Sequence, residues 1–371
     1  MSLLIFLIVL VVLILVHELG HFAVAKWFGI RVDEFGIGFP PKVWGKKFGE
    51  TEYTVNALPI GGFVRIWGED PTQEHYESGP ESERSFVKKP RYAQALVLVA
   101  GVTMNIVLAF VLYVIVFMLG MPSVIDESEI RSSTSETRLI VDGMIPGSPA
   151  DGLLQQNDEI RRVTSGADTL DTTPMLPSEV TRFVQDHTGR PIVFDVVRGE
   201  ETTMVELTTR AGLDPEHPEK ELAGISMLLV GTLSVGFFDA VQQAFVHTYN
   251  TLLAVSAGLG SFFLDAVRGN ADLDQVAGPV GMVGLVGEQV SRGFTWLLTF
   301  AAVISLNLAV INLLPIPALD GGRLLFVLIE AIIRRPIKPA FAVRANQIGF
   351  FALLALMAVV TASDIFKLFT A

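Results

Sequence analysis

Apolar residues in this chain gather in long blocks instead of recurring with the period of a soluble helix or strand. An apolar block of roughly 20 residues, at 1.5 Å per residue, is long enough to cross a bilayer as a helix. Four blocks approach or exceed this length, at residues 3–28, 93–122, 294–317 and 345–363. Polar residues enter the first block after residue 16, and the other three carry no charge. The pattern predicts four transmembrane helices.

Residues 31–68, between the first two blocks, read as β-structure, because short β-rich runs alternate with Gly and Pro. Apolar hairpins beside a membrane are tolerated where protein or a water-filled cavity covers their backbone. A membrane-associated β-hairpin region is therefore expected here, and a cytoplasmic hairpin without a role in chemistry is the alternative. Residues 69–90 are polar and indicate an exposed loop.

Residues 127–212 have the pattern of a compact soluble module. Ile192, Phe194 and Val196 alternate along one predicted strand, and further short strands flank it. A helix begins near Ser178, whose hydroxyl is suited to an N-cap. The module is predicted to be a small α+β domain or a partly open barrel.

Residues 236–268 carry a helical apolar stripe interrupted by polar positions. Counting this helix as a span would place Arg334, Arg335 and Lys338 outside, against the excess of positive charge expected on the cytoplasmic side. We therefore expect an amphipathic helix at the outer membrane interface.

The predicted fold is a polytopic α-helical membrane protein with four transmembrane helices, a membrane-associated β-hairpin region and an extracytoplasmic α+β domain. Residues 1–122 hold the first two spans and the β-region, residues 123–215 the soluble domain, residues 216–293 a linker with the interfacial helix, and residues 294–371 the last two spans.

Basic residues near the ends of the spans predict the orientation. Lys and Arg cluster after the first and third spans and before the second and fourth, so these loops are expected in the cytoplasm. Both termini and the soluble domain are then extracytoplasmic, in a bacterial inner membrane. A signal peptide is the rival interpretation, since Ala23-Val24-Ala25 resembles a cleavage site, but no positive charge precedes the apolar run.

Composition excludes some classes of binding partner and some types of catalytic or metal-binding residue. The formal net charge is −12, so no basic face is available to bind nucleic acid. Cysteine is absent, which excludes disulfides, a thiol nucleophile and thiolate metal ligands. Any metal must be held by His, Asp or Glu. Four of the six histidines lack ligand spacing and are expected at the surface: His75, His187, His217 and His247.

The first span contains His17-Glu18-Leu19-Gly20-His21, an H-E-x-x-H sequence. Spacing of i and i+4 places both imidazoles on one helix face, where they can share a zinc ion with Glu18 beside them as a base. Ionisable groups inside a span are costly and mark functional sites. The alternative is a polar cluster that only pairs helices.

A catalytic zinc has three protein ligands and an open position, so a third ligand is needed. Asp320 is the candidate, because it follows Pro315 and Pro317 at the inner end of the third span and precedes two glycines. The first and third spans run in the same direction, which places Asp320 and both histidines at similar depth. Taken alone, the Leu-Asp-Gly-Gly segment also fits a simple helix-terminating turn.

The expected chemistry is peptide hydrolysis. Zinc activates water and polarises the scissile carbonyl, and Glu18 accepts the water proton and delivers it to the leaving amine. The amide of Asn312 is placed to hold the substrate backbone or the developing oxyanion. Its alternative role is a hydrogen bond between helices.

Two motifs, His17-Glu18-Leu19-Gly20-His21 and Asn312-x-x-Pro315-x-Pro317-x-Leu319-Asp320-Gly321-Gly322, resemble the site-2 protease family of intramembrane zinc metalloproteases, of the bacterial regulator-of-sigma-E type. The likeness covers nearly the whole chain. It implies His17, His21 and Asp320 as zinc ligands, Glu18 as catalytic base, substrate contact at Asn312 and Pro315, and a PDZ domain in the soluble module. The chain departs from the family where Val102 follows Gly101 in place of Pro, and in having room for one PDZ module where several relatives have two.

The resemblance also implies the partners, which are single-span membrane protein substrates in a lipid bilayer, cut in regulated intramembrane proteolysis. Anti-sigma factors and signal-peptide remnants are examples. A catalytically inactive scaffold or a metal-binding membrane protein is the alternative. All four candidate zinc and base residues are present, against a dead scaffold, and the second and fourth spans lack the polar path that a metal transporter needs.

Overall fold

The computed structural model describes residues 1–69, 81–124, 127, 137–199, 201–213, 220–269 and 277–370. The chain divides into two compact units. The first joins Met1–Val116 to Phe237–Ala371, and the second is Phe117–Gly236. Most of the predicted polar loop, with His75, and also His217 lie outside the described residues.

Helices dominate the first unit. In chain order the helices of both units are Ser2–Trp27 (α1), Arg91–Leu119 (α2), Pro177–Asp186 (α3), Phe237–Val267 (α4), Pro279–Arg292 (α5), Phe294–Leu313 (α6), Asp320–Ile333 (α7) and Pro339–Thr370 (α8), of which α3 belongs to the second unit. Within the described ranges, α1, α2, α6 and α8 are long and apolar enough to cross a membrane. At most 28% of the apolar window of each is buried in the protein, so their remaining surface needs lipid. The four predicted spans are confirmed as apolar helices.

Two strands complete the first unit, Val32–Phe48 (β1) and Thr51–Ile66 (β2). They are long and bent, so that Phe35 of β1 pairs with both Tyr53 and Val64 of β2. The first half of β1 therefore lies between two segments of β2. The β-structure predicted for residues 31–68 is confirmed, as one folded pair in place of separate short hairpins.

The second unit is built around a sheet of Met121–Val124 (β3), Arg138–Met144 (β4), Glu159–Ser165 (β5), Asp168–Leu170 (β6), Pro191–Arg198 (β7), Glu201–Thr208 (β8) and Ile225–Leu233 (β9). The strand order is β3-β9-β4-β5-β7-β8, and β6 pairs with β5. Ile192, Phe194 and Val196 are fully buried in its core, as their alternation predicts, together with Val180 and Val184 of α3. The α+β class of this module is confirmed.

Two expectations for this unit are corrected. The unit runs over residues 117–236 instead of 123–215, because β9 inserts between β3 and β4 in the sheet. Helix α3 has Leu176 as its N-cap, because Pro177 fixes the dihedral angle of the first helical turn. Ser178 lies inside the helix, where its backbone N–H and its hydroxyl donate to the carboxylate of Glu127.

The helix predicted at residues 236–268 is confirmed as α4, and within the described residues it is not among the helices long and apolar enough to cross a membrane. Its place at the membrane surface stays a prediction. The expectation that the remaining histidines are at the surface is wrong for His187, which is buried, whereas His247 is half-buried. His247 of α4 packs edge-on against the buried ring of Tyr113 in α2, and His187 is 9% exposed and hydrogen-bonded to Asp168.

Candidate metal centre

Helix α1 presents two buried imidazoles on one face. His17 and His21 are each 7% exposed, and their Nε2 atoms lie 3.1 Å apart. The i and i+4 spacing on a helix produces this approach, because residues four apart are neighbours one turn along. The two rings meet edge-on, with centroids 4.8 Å apart.

Asp320 reaches the same point from the other end of the chain. Helix α6 stops at Leu313, and α7 begins with Asp320 after the turn that contains Pro315 and Pro317. Oδ2 of Asp320 lies 3.0 Å from Nε2 of His17 and 3.3 Å from Nε2 of His21. The three side chains that the sequence singled out as candidate ligands therefore lie together, and the membrane depth assigned to them stays a prediction.

The turn before Asp320 depends on close backbone packing. A Cβ added at Gly321 or Gly322 would overlap carbonyl groups of residues 313–316, which confirms that these glycines permit the approach. Ala318 has φ of 80°, a left-handed conformation that disfavours residues with a side chain. The side-chain oxygen of Asn346 in α8 holds this turn by accepting a hydrogen bond from the Ala318 N–H.

The spacing of the three ligand atoms fits one tetrahedral ion. Two ligands about 2.1 Å from a zinc ion, at the tetrahedral angle, lie roughly 3.4 Å from each other. The observed separations between the Nε2 atoms and Oδ2 are 3.0 to 3.3 Å. Among the described residues this is the cluster of three His or acidic side chains able to hold a metal ion.

Helix α2 closes the other side of the cluster. Nδ1–H of His21 donates to the Val97 carbonyl at 2.8 Å, which orients the ring with Nε2 toward the cluster. Gly101 lies directly against the two imidazoles, and a Cβ there would be 2.7 Å from Nε2 of His17. Helix α2 can pass this close to the two imidazoles because Gly101 has no side chain.

Glu18 lies beside the cluster with its carboxylate held from the β-region. The backbone N–H of Val64 in β2 donates a hydrogen bond to it. Glu18 also lines a cavity of about 200 Å³ that opens onto the cluster, and its lining residues are Ile14, His17, Glu18, Asn105, Leu308, Asn312, Ala318, Leu319 and Asp320. Glu18, Asn312 and two of the three candidate ligands, His17 and Asp320, therefore line one cavity.

The structure brings together five of the six residues singled out in the sequence, His17, Glu18, His21, Asn312 and Asp320. Pro315 is exposed and does not line the cavity. Sequence reasoning gave no role to Gly101 or to Val64. A glycine inside an otherwise bulky span was the available signal for Gly101, and no local signal marks Val64.

Comparison with known proteins decides the family. The profile of peptidase family M50 matches residues 5–356. The chain belongs to this family. The M50 chain is 31% identical to the regulator of sigma-W protease RasP of Bacillus subtilis, over 98% of each chain. It is 29% identical to the zinc metalloprotease RasP of Geobacillus kaustophilus, over 99% of this chain and 98% of that protein. A Clostridium perfringens protein, provisionally named a zinc metalloprotease, is 35% identical over 95% of each chain.

The M50 chain is therefore a zinc metalloprotease of the site-2 protease family, and its four apolar helices make it a membrane protein. The donor set agrees with this metal, since two imidazole nitrogens and one carboxylate oxygen are a common ligand set for catalytic zinc. Membership of this family of zinc metalloproteases argues against the alternative of a catalytically inactive scaffold.

Proposed function

We propose that this M50 protease hydrolyses peptide bonds of transmembrane substrates within or beside the bilayer, with His17, His21 and Asp320 as the zinc ligands. The convergence of three ligand atoms within 4.8 Å of one another, on two apolar elements, carries the proposal. Such polarity inside a span is expensive and is retained where function requires it.

Zinc, when bound, polarises the scissile carbonyl and makes water a nucleophile near neutral pH. Glu18 accepts the proton of the attacking water and delivers it to the leaving amine. The hydrogen bond from the Val64 N–H fixes the carboxylate of Glu18 beside the ligands. Asn312, on the wall of the same cavity, donates its amide N–H to the substrate backbone or to the developing oxyanion. Pro315 contacts the substrate farther from the ligands.

A helical substrate must unwind before cleavage, because its carbonyl groups are engaged in hydrogen bonds four residues apart. The β-region supplies an edge for the extended segment. Val64 pairs with Phe35 of β1 on one side and turns its N–H toward Glu18 on the other. The edge of β2 therefore faces the catalytic base.

Proline at this edge tests the idea, since proline has no N–H to donate. Val64→Pro is expected to slow cleavage at retained zinc content. Val43→Pro, at an exposed position of β1, is the control and is expected to cleave normally. Normal cleavage by Val64→Pro would contradict the edge proposal.

The substrates are single-span membrane proteins. The B. subtilis relative is named a regulator of sigma-W protease, and by analogy anti-sigma factors are the substrate class, with signal-peptide remnants as a second one. The protein resides in the bacterial inner membrane with both termini and the second unit outside. This orientation places the metal centre toward the cytoplasmic side.

The second unit is a PDZ domain that controls substrate access, either as a size filter or by peptide capture. A cavity of about 310 Å³ lies between α3 and the start of β9, with Thr181 on its rim. Thr181→Trp fills this cavity and is expected to slow cleavage if the domain captures peptides, but not if it acts as a filter. Thr202→Trp, on β8 outside the cavity lining, is the control.

Co-expression of the protease with a single-span substrate tests the proposed function. Glu18→Gln removes the base and is expected to lower cleavage by about 10²- to 10⁴-fold while zinc is retained. Glu288→Gln, at an exposed ion pair on α5, is expected to cleave normally. Equal cleavage by wild type and Glu18→Gln would refute the mechanism.

A further inference from the structure

Asn105 is a fully buried amide beside the metal centre. It lies on α2, is 0% exposed, and lines the cavity that contains Glu18 and Asp320. Its Nδ2 lies 3.3 Å from Nδ1 of His17. Its Oδ1 is buried and has no hydrogen-bond partner among the described residues. A buried amide oxygen without a donor is costly and calls for an explanation.

The required tautomer of His17 supplies that explanation. An imidazole that binds a metal through Nε2 carries its proton on Nδ1, and Nδ1–H donates to an acceptor outside the ligand shell. His21 already shows this arrangement, since its Nδ1–H donates to the Val97 carbonyl. Against a protonated Nδ1 of His17, however, Nδ2 of Asn105 would be a second donor, and two donors repel.

A half-turn of the Asn105 side-chain amide resolves the conflict, because it exchanges Nδ2 for Oδ1 opposite His17. We propose that Oδ1 of Asn105 accepts the hydrogen bond from Nδ1–H of His17 and so selects the tautomer whose Nε2 binds zinc. Asn105 is then a positioning residue that acts on the metal through His17. The inference rests on the zinc site of the proposed function.

In this arrangement, helix α2 carries a hydrogen-bond acceptor for each of the two imidazoles. Val97 and Asn105 are eight residues apart, which places them on the same face about two turns from each other. The Val97 carbonyl lies next to Nδ1 of His21, and the side-chain amide of Asn105 lies next to Nδ1 of His17. Gly101 lies between these two residues, where the rings approach the helix. One helix face therefore provides one acceptor for each histidine and the space between them.

A hydrogen bond to the backbone of Asn105 links this residue to α6. The hydroxyl of Ser305 in α6, which is 0% exposed, donates to the backbone carbonyl oxygen of Asn105 at 2.8 Å. Helix α6 leads directly into the turn before Asp320. The backbone of Asn105 is thereby bonded to the helix that precedes the turn before Asp320.

Zinc affinity of the purified full-length protein, measured in detergent by competition with a chelator, tests the inference. Asn105→Leu has similar volume and no acceptor, and is expected to bind zinc about 10- to 100-fold more weakly. Asn105→Asp keeps an acceptor facing Nδ1–H and is expected to stay within a few-fold of wild type. Thr103→Val removes an exposed hydroxyl that bonds within α2, and as the control it is expected to leave affinity unchanged.

The relative zinc affinities of Asn105→Leu and Asn105→Asp distinguish a positioning role of Asn105 from a role in packing alone. A buried carboxylate in a membrane helix disturbs folding more than leucine does, so a purely structural role predicts that Asn105→Asp is the more damaging change. The positioning role predicts the reverse order for zinc affinity, and altered visible absorption of the cobalt-substituted Asn105→Leu protein.

Wild-type affinity in Asn105→Leu, or equal losses in both variants, would overturn this inference while leaving the proposed function intact. Absence of zinc binding by the wild-type protein would overturn both.

Discussion

Gly101→Ala perturbs the metal centre by a single methyl group. Helix α2 passes so close to the imidazoles that the added Cβ would lie 2.7 Å from both Cε1 and Nε2 of His17, and closer still to Nε2 of His21. Ordinary van der Waals contact begins near 3.4 Å. The closest of these contacts, 2.4 Å to Nε2 of His21, requires the rings or the helix to move by about 1.0 Å to restore ordinary contact.

The expected loss of zinc affinity in Gly101→Ala follows from how little the ligand atoms of a zinc site can move. Zinc ligands keep their distances to the ion within about 0.2 Å, so a shift of this size in the rings breaks coordination. If α2 moves instead, overpacking costs about 1–3 kcal/mol. That energy corresponds to roughly 5- to 150-fold weaker zinc binding, at about 1.4 kcal/mol per factor of ten.

Chelator competition on the purified protein measures this loss, and cleavage of a co-expressed single-span substrate should fall with it. Gly258→Ala is the matched control, because Gly258 lies in α4 with nothing within 4 Å of an added Cβ. Alanine there should leave zinc binding unchanged and favour the helix by about 1 kcal/mol. Wild-type zinc affinity in Gly101→Ala would refute the packing described for the centre.

Three further predictions concern stability. Burial raises the pKa of Asp158, but hydrogen bonds from Arg198 and the Gln155 backbone outweigh this and hold the pKa below its usual value. The ion pair therefore stabilises the second unit above the ordinary carboxyl pKa and is lost as pH falls through the depressed one. Arg198→Met should accordingly shift acid unfolding to higher pH, as seen in amide exchange of the full chain. Phe194→Ala should destabilise the second unit by about 3–5 kcal/mol, measured by denaturant-dependent exchange, because Phe194 is fully buried. Ala318→Val should lower both thermal stability and cleavage, whereas Ala318→Gly should keep both, because φ of 80° suits glycine and strains a β-branched residue.

The meeting of the three candidate metal ligands was predictable because the position of each depends on a simple rule. His17 and His21 are brought together by helical spacing, which is local. Asp320 is 299 residues beyond His21, and it could still be placed because two spans predicted to run in the same direction are expected to hold their residues at matching depths. Length and apolarity located those spans without knowledge of packing.

Contacts made through backbone groups were not predictable. Val64 donates to Glu18 through its N–H, and every residue except proline has such a group, so the sequence carries no mark of it. The approach of Gly101 depends on how α1 and α2 cross, which periodicity does not specify.

In the second unit, too, features set by neighbouring residues were predictable, and pairing between residues distant in sequence was not. The alternation of Ile192, Phe194 and Val196 correctly predicted a half-buried strand. Strand β9 was missed because its partners β3 and β4 precede it by 81 or more residues, and pairing over such distances leaves no local pattern. The start of α3 was misplaced by overlooking that Pro177 favours the first helical position.

The metal content of the purified protein and of its Asp320→Ala variant tests the shared zinc site most directly. Elemental analysis after gel filtration should find stoichiometric zinc in the wild type. Asp320→Ala leaves His17 and His21 as the remaining ligands, and should lose most of the zinc while keeping its fold. Undiminished zinc in Asp320→Ala would contradict a site joined from α1 and α7.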